Sequence, residues 1–143
     1  MVQYIMSQTY RNLPFLLLKA REELMTKFRP ILNKYNVTEQ QWRIIRALNE
    51  HGDLEPRQLC QHCIILSPSM AGILKRMEEA SLIQKIPMED QRRVSIRLTE
   101  KAAEIHDQAQ KEANLQYKII EEKVGKKDME AIYSLLDTLI DKS

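Results

Sequence analysis

Apolar residues in the first third of the chain recur at steps of three and four: Leu13, Leu17, Ala20, Leu24, Phe28 and Ile31. That spacing lays them on one stripe and predicts a helix from about Asn12 to Tyr35. Pro30 lacks an amide donor and crowds the preceding turn, so a kink or short break is expected there. A second helix has clear start signals. Thr38 and Gln41 have capping-box spacing, and Val37 and Trp42 occupy the staple positions. Ile44, Ile45 and Leu48 give it a buried face, and Gly52 stops it. Pro56 suits the first position of a short third helix that turns Leu59 inward and fades by Ile64. Ser67 before Pro68 reads as a cap and first residue opening a fourth helix to about Ala80. Met70, Ile73, Leu74 and Met77 form its apolar side, with Ser69, Ala71, Gly72, Lys75 and Arg76 opposite. No element is assigned to residues 1–11.

After Ser81 the period shortens to two. Leu82–Pro87 and Arg93–Leu98 read as strands joined by a tip at Met88–Gln91. Val94, Ile96 and Leu98 alternate with Arg93, Ser95 and Arg97, giving one apolar and one basic face. Thr99 is the expected cap of a long helix reaching about Lys123, broken at Gly125. Met129, Ile132, Leu136 and Leu139 then form a seam on a last helix, and a seam needs a partner.

Three short helices followed by a basic two-stranded ribbon describe a winged helix-turn-helix. The expected fold is therefore mainly α with a small β-hairpin wing, the winged helix-turn-helix domain being flanked by terminal dimerisation helices. Residues 1–143 form a single domain, with the winged part at about 38–98 and the dimerisation helices at about 12–35 and 100–141. In such an arrangement the fourth helix enters the major groove of double-stranded DNA and the hairpin tip reaches the adjacent minor groove. Ser67, Ser69, Met70, Lys75 and Arg76 are the expected contacts from the helix, and Arg92 and Arg93 those from the wing. Asp90 is expected to order the wing by pairing with Arg92, since a carboxylate repels phosphate. The plainer reading is a helical interaction module whose hairpin is an ordinary ribbon.

Composition narrows the class. A chain of 143 residues buries about 70% of its unfolded surface without disulfides or metal. It is 43% hydrophobic and 29% charged, with only 3 Gly and 5 Pro, which excludes collagen-like and disordered chains. Lys and Arg exceed Asp and Glu by 22 to 20, so any nucleic-acid footprint is local. The run Leu13–Leu18, broken by Pro14, is too short to span a bilayer. With no signal-peptide pattern, a cytoplasmic protein without membrane contact is expected.

Asp90–Gln91–Arg92–Arg93 followed by Leu98–Thr99 resembles the D-x-R … L-T wing signature of the MarR family of transcriptional regulators. The likeness runs along nearly the whole chain. Ala20–Arg21–Glu22, Phe28–Asn33 and Thr38–Arg43 further resemble the branch that regulates homoprotocatechuate and hydroxyphenylacetate catabolism. The resemblance implies a homodimer with interlocked terminal helices, two winged domains on a pseudo-palindromic operator, and repression relieved by a small aromatic acid effector. Ser81 stands where the family usually has a helix-stopping Gly, and Ala102 where Gly often follows the Leu98–Lys101 string.

Three constellations invite chemistry. Cys60–Gln61–His62–Cys63 reads as a redox pair, a metal site or core packing. Zinc needs more ligands than the motif holds, with only His51 and His106 as further histidines. A sensor thiol needs a lowered pKa, and cysteine is commonly buried. A repressor gated by oxidation of Cys60 or Cys63 is the alternative to one gated by a ligand. No nucleophile or metal motif surrounds the histidines, so an enzyme is not expected, nor a cofactor or metal. Finally, Glu39, Trp42 and Arg46 share a stripe of the second helix. The plain reading staples Trp42 at the helix start and pairs Glu39 with Arg43. The resemblance favours a pocket instead, with Trp42 as aromatic wall and Arg46 as carboxylate partner. In that pocket Glu39 accepts from a phenolic hydroxyl and Tyr117 reaches in from the fifth helix. Arg21 and Asn12 close the site.

Overall fold

The computed structural model describes residues 10–141. Helix α1 spans Leu13–Lys34, and its Asn12 cap accepts the Phe15 amide at 3.1 Å. It runs through Pro30 without the expected break. Its last turn is tied from outside: the Val37 amide donates to the Leu32 carbonyl, the Tyr35 hydroxyl donates to Glu112, and Lys34 Nζ lies 3.0 Å from the same carboxylate. Helix α2 covers Glu39–His51. Both arms of its capping box are closed, Gln41 N to Thr38 Oγ1 at 3.1 Å and Thr38 N to Gln41 Oε1 at 3.0 Å. At Gly52 φ reaches +78°, a value that favours glycine, and its amide donates to Leu48.

Helix α3 (Pro56–Cys63) opens at Glu55, whose amide donates to Gln58 Oε1 at 2.9 Å. Helix α4 (Ser67–Glu79) begins one residue earlier than the sequence indicates. Leu66 is its cap, Ser67 lies inside the first turn, and the Leu66 carbonyl receives the Ser69 amide. Ser81 takes φ +61° after α4, the conformation for which glycine is the usual choice. The turn is secured by Leu82 N donating to Met77 and by the Thr99 hydroxyl donating to Ser81 O at 2.7 Å.

Strands β1 (Ile83–Pro87) and β2 (Val94–Leu98) pair antiparallel from Ile83↔Leu98 to Pro87↔Val94. Leu54 adds a bridge to Ile96, with bonds in both directions at 3.2 and 2.7 Å. The segment before α3 is thereby stitched to the wing. Helix α5 (Glu100–Val124) is capped by Thr99 and ends at Gly125, and α6 (Lys126–Asp141) follows directly.

The core lies where α2, α3, α4, the hairpin and the start of α5 converge. Ile44, Ile45, Leu59, Met77, Ile83 and Ile96 are fully buried there. Ala102 is buried too, so the methyl in place of a common glycine is absorbed by packing. The terminal helices differ. Among its described residues α6 buries none, and α1 buries only Leu32. Phe15, Leu18, Leu115, Leu135 and Leu139 stand exposed along α1, α5 and α6. No described helix is long and apolar enough to cross a membrane.

Candidate nucleic-acid interface and internal cavity

The helical period of α4 divides it. Ile73, Leu74 and Met77 enter the core, while Ser67, Ser69, Lys75 and Arg76 are exposed along the other side. Met70 belongs to the first group. It is 2% exposed, in phase with the core residues, and has no surface to offer a groove. The expectation that Met70 meets DNA is corrected on that ground.

At the hairpin tip, Asp90 Oδ1 accepts the Arg92 amide at 3.1 Å and the Arg92 Nε at 3.3 Å. The backbone donor, and then the side chain, hold the Asp90 carboxyl below the usual carboxylate range. The Arg92 side chain stays 90% exposed. Arg93 is placed differently. Its guanidinium grips Glu55 with Nε at 2.8 Å and Nη2 at 2.6 Å, and Arg97 grips Asp53 through the same two nitrogens. The sequence reading missed these carboxylate partners because the pairs span 38 and 44 residues. It also missed Arg57 and Lys85, which line a cleft of about 470 Å³ between α3, α4 and the hairpin. Their signal is plain afterwards: a cation on the exposed side of a helix or strand next to the reading elements.

A second cavity, of about 210 Å³, lies between α1, α2 and α5. Glu39, Trp42 and Arg46 reach it from α2, and Tyr117 from α5. The structure therefore brings four of the six expected pocket residues to one cavity. Arg21 attaches to the edge, bonded to Glu39. Glu39 thus turns to α1 and not to Arg43 as the i,i+4 spacing suggests, because α1 passes directly alongside. Asn12 is engaged as the α1 cap and does not line the cavity. Met25, Phe28 and Arg43 line it without having been singled out for it; Phe28 is part of the α1 stripe that also reads as core.

Trp42 is held by stacking on His106, centroids 5.5 Å apart and planes at 20°. Phe28 lies 4.8 Å from the Tyr117 ring. Burial pushes the Tyr117 phenol up, helped by Tyr133 and opposed by Arg46. Tyr117 consequently stays protonated at neutral pH and keeps its O–H as a donor. The walls are largely apolar and aromatic, with the Arg43 and Arg46 guanidiniums and the Glu39 carboxylate from α2, the mix of apolar surface and few polar groups common in small-molecule sites.

The model of the MarR family matches residues 37–95, which is the winged helix-turn-helix. Over 124 residues the chain is 45% identical to the HTH-type transcriptional regulator FarR of Neisseria gonorrhoeae, covering 86% of this chain and 85% of that one. The chain belongs to the MarR family. It is also 38% identical over 130 residues to the homoprotocatechuate degradative operon repressor of Escherichia coli, covering 90% of this chain and 88% of the relative. Among solved structures, NadR in complex with 4-hydroxyphenylacetate superposes with a TM-score of 0.78 at 43% identity, covering 91% of this chain and 93% of that one.

As a MarR-family member this chain is a DNA-binding transcriptional regulator and not an enzyme. Within it Cys63 is 2% exposed, and burial pushes its thiol up despite the nearby Arg43. A thiol held protonated is a poor nucleophile toward oxidants. Cys60 is half-buried on the cleft between α3, α4 and the wing.

Proposed function

We propose that this MarR-family regulator is a homodimeric cytoplasmic repressor of an aromatic-acid catabolic operon, released from its operator by a small phenolic carboxylate. The observation that carries the reading is the convergence of Trp42, Arg46 and Tyr117 on one cavity. Arg46 and the Tyr117 hydroxyl take the carboxylate, Trp42 lies along the ring, and Glu39 accepts from the phenolic hydroxyl. Arg21, anchored on Glu39, closes the edge, with Asn12 near the start of the same helix. The cavity is smaller than the about 300–1,000 Å³ typical of drug-sized ligands, which suits a single ring. The 4-hydroxyphenylacetate bound by NadR and the operon named for the Escherichia coli relative support the ligand class.

The cavity joins both parts of the molecule, since α2 belongs to the winged domain while α1 and α5 carry the exposed apolar surfaces. A ligand there alters DNA binding only by favouring one spacing of the paired reading helices over another. Titration with 4-hydroxyphenylacetate tests the reading. Trp42 is the single tryptophan, so its emission reports occupancy, and a gel shift on the promoter DNA of its own gene reports release. Quenching together with release is expected. A panel of hydroxylated phenylacetates and benzoates that leaves both signals unchanged refutes it.

A further inference from the structure

Three residues join α3 to α4, and their side chains part. Ile65 is 5% exposed and pins the turn to the core. Ile64 and Leu66 on either side of it are 85% and 78% exposed. Neither position suits a large apolar residue on local grounds. Ile64 holds φ at +53°, which a β-branched residue adopts reluctantly and Gly or Asn adopt readily. Leu66 is the cap of α4, where Ser, Thr, Asp or Asn supplies an oxygen to the first amides; Leu66 supplies none. Backbone geometry, capping and hydration thus all disfavour the side chains present.

Their position identifies what they meet. In a helix-turn-helix the N-terminal residues of the second helix approach base edges. Leu66 precedes the exposed Ser67 and Ser69, and Lys75 and Arg76 follow on the exposed side of the same helix. Arg57, one helix earlier, lines the adjoining cleft. These cations complement phosphates, so the surface around Leu66 is electrostatically prepared for DNA. The major-groove edges of the bases carry donors, acceptors and one apolar group, the 5-methyl of thymine.

We propose that Leu66, with Ile64 beside it, reads operator sequence by packing on thymine methyl groups in the major groove. The surrounding cations position the duplex and carry no sequence information, while the apolar pair discriminates. The chemistry differs from the polar readout expected of Ser67 and Ser69, and it is independent of the effector cavity.

The test removes one methyl at a time. Full-length protein selects its tightest duplex from a random library, and each thymine of that duplex is replaced by deoxyuridine. At one or more thymines per half-site, the wild type is expected to lose about fourfold in affinity, the value of one buried methyl-sized group. Leu66→Ala should bind the thymine duplex more weakly and show no further loss on deoxyuridine, the mark of a coupled pair. Its salt slope and its affinity for unrelated duplex should match the wild type, since no phosphate contact is lost. Ile64→Ala provides the same comparison at the neighbouring position. If no thymine-to-deoxyuridine change weakens the wild type, or if every such loss persists in both variants, the proposal fails. A Leu66→Ala protein whose mass by light scattering falls assigns the side chain to a protein contact and also overturns it.

Discussion

Arg93 and Glu55 lock the wing to the helix-turn-helix through two parallel hydrogen bonds, at 2.8 and 2.6 Å. Asp53 and Arg97 repeat the fork on the far side of the Leu54–Ile96 bridge. Each guanidinium is matched by a carboxylate, and a carboxylate competes with phosphate for it. The wing is thus held by Arg93, while Arg92 projects from the tip at 90% side-chain exposure. The two arginines should therefore respond differently to salt. Arg92→Ala should reduce the slope of log affinity against log salt by about 0.9, one phosphate's worth of counterion release. Arg93→Ala should weaken operator binding with the slope unchanged. Gel shifts at several salt concentrations decide this, and equal slope changes for both arginines would return Arg93 to the DNA.

The same contacts make the wing sensitive to acid. Glu55 is held below the usual carboxylate range chiefly by hydrogen bonds from Arg93, and Asp90 by the Arg92 amide and side chain. A carboxyl depressed in the folded state stabilises it fully above its unfolded pKa, and that contribution fades as pH falls through the folded value. Wing order should accordingly hold at neutral pH and fail below the ordinary carboxylate range of about 4. Both groups are solvent-accessible, so the effect stays local and global unfolding is not expected to follow it. A carboxyl NMR titration should place both midpoints below those of the unfolded chain, and Arg93→Ala should raise the Glu55 midpoint. Midpoints at ordinary values would show that the pairs do not persist in solution.

Ile96 lies between these forks, with no exposed surface, and bonds to Leu54 on one side while pairing with Lys85 on the other. Truncation there leaves a cavity in the part of the core that the wing shares with α2. Ile96→Ala should cost about 2–5 kcal/mol, the range for large-to-small changes in a core. Urea denaturation measures it; a loss under about 1 kcal/mol would mean that the site collapses freely.

What the sequence shows depends on how local each determinant is. The Thr38–Gln41 box and Gly52 act within one turn, and α2 appears where they place it. The α4 start is one residue early because Leu66 caps through its carbonyl alone, which no residue preference announces. Met70 shows a different limit. The period that puts it beside Ile73 and Met77 is visible in the sequence, yet adjacency to Ser69 also suggests a groove contact; burial decides for the period. Trp42, Arg46 and Glu39 are legible as a stripe because one helix carries them. The stacking of Trp42 on His106 and the closure of the cavity by Phe28 and Tyr117 are tertiary, since α1 and α5 must first pack on α2.

The terminal helices carry large apolar side chains that a homodimer would cover. Ile132, Leu135 and Leu139 of α6 are 44–70% exposed, and Phe15 and Leu18 of α1 are also bare. Exposed apolar side chains in this number are what the proposed interface would bury. Light scattering should return a dimer at micromolar concentration. The pair Leu135→Asp and Leu139→Asp should give a monomer with an intact winged domain and little operator affinity, because one half-site alone forfeits the joint binding of two. A wild-type monomer that binds its operator tightly would contradict the assignment.

Substitution of Arg46 is expected to separate recognition of the effector from recognition of DNA. Its guanidinium lies on the α2 wall beside Trp42, close enough to Tyr117 to draw that phenol's titration down against the effect of burial. A charge-assisted bond to a carboxylate contributes about 1.5–3 kcal/mol. Arg46→Ala should therefore weaken binding of 4-hydroxyphenylacetate by about ten- to a hundredfold, read from Trp42 quenching. Removing the acid from the ligand instead, as in 4-methylphenol, should cost the wild type a similar factor and the variant little, which ties the loss to the carboxylate and not to repacking. Operator affinity without ligand should survive, since Arg46 lies apart from the exposed side of α4. A variant that binds DNA normally and is released by the same ligand concentration as the wild type would remove Arg46 from the site.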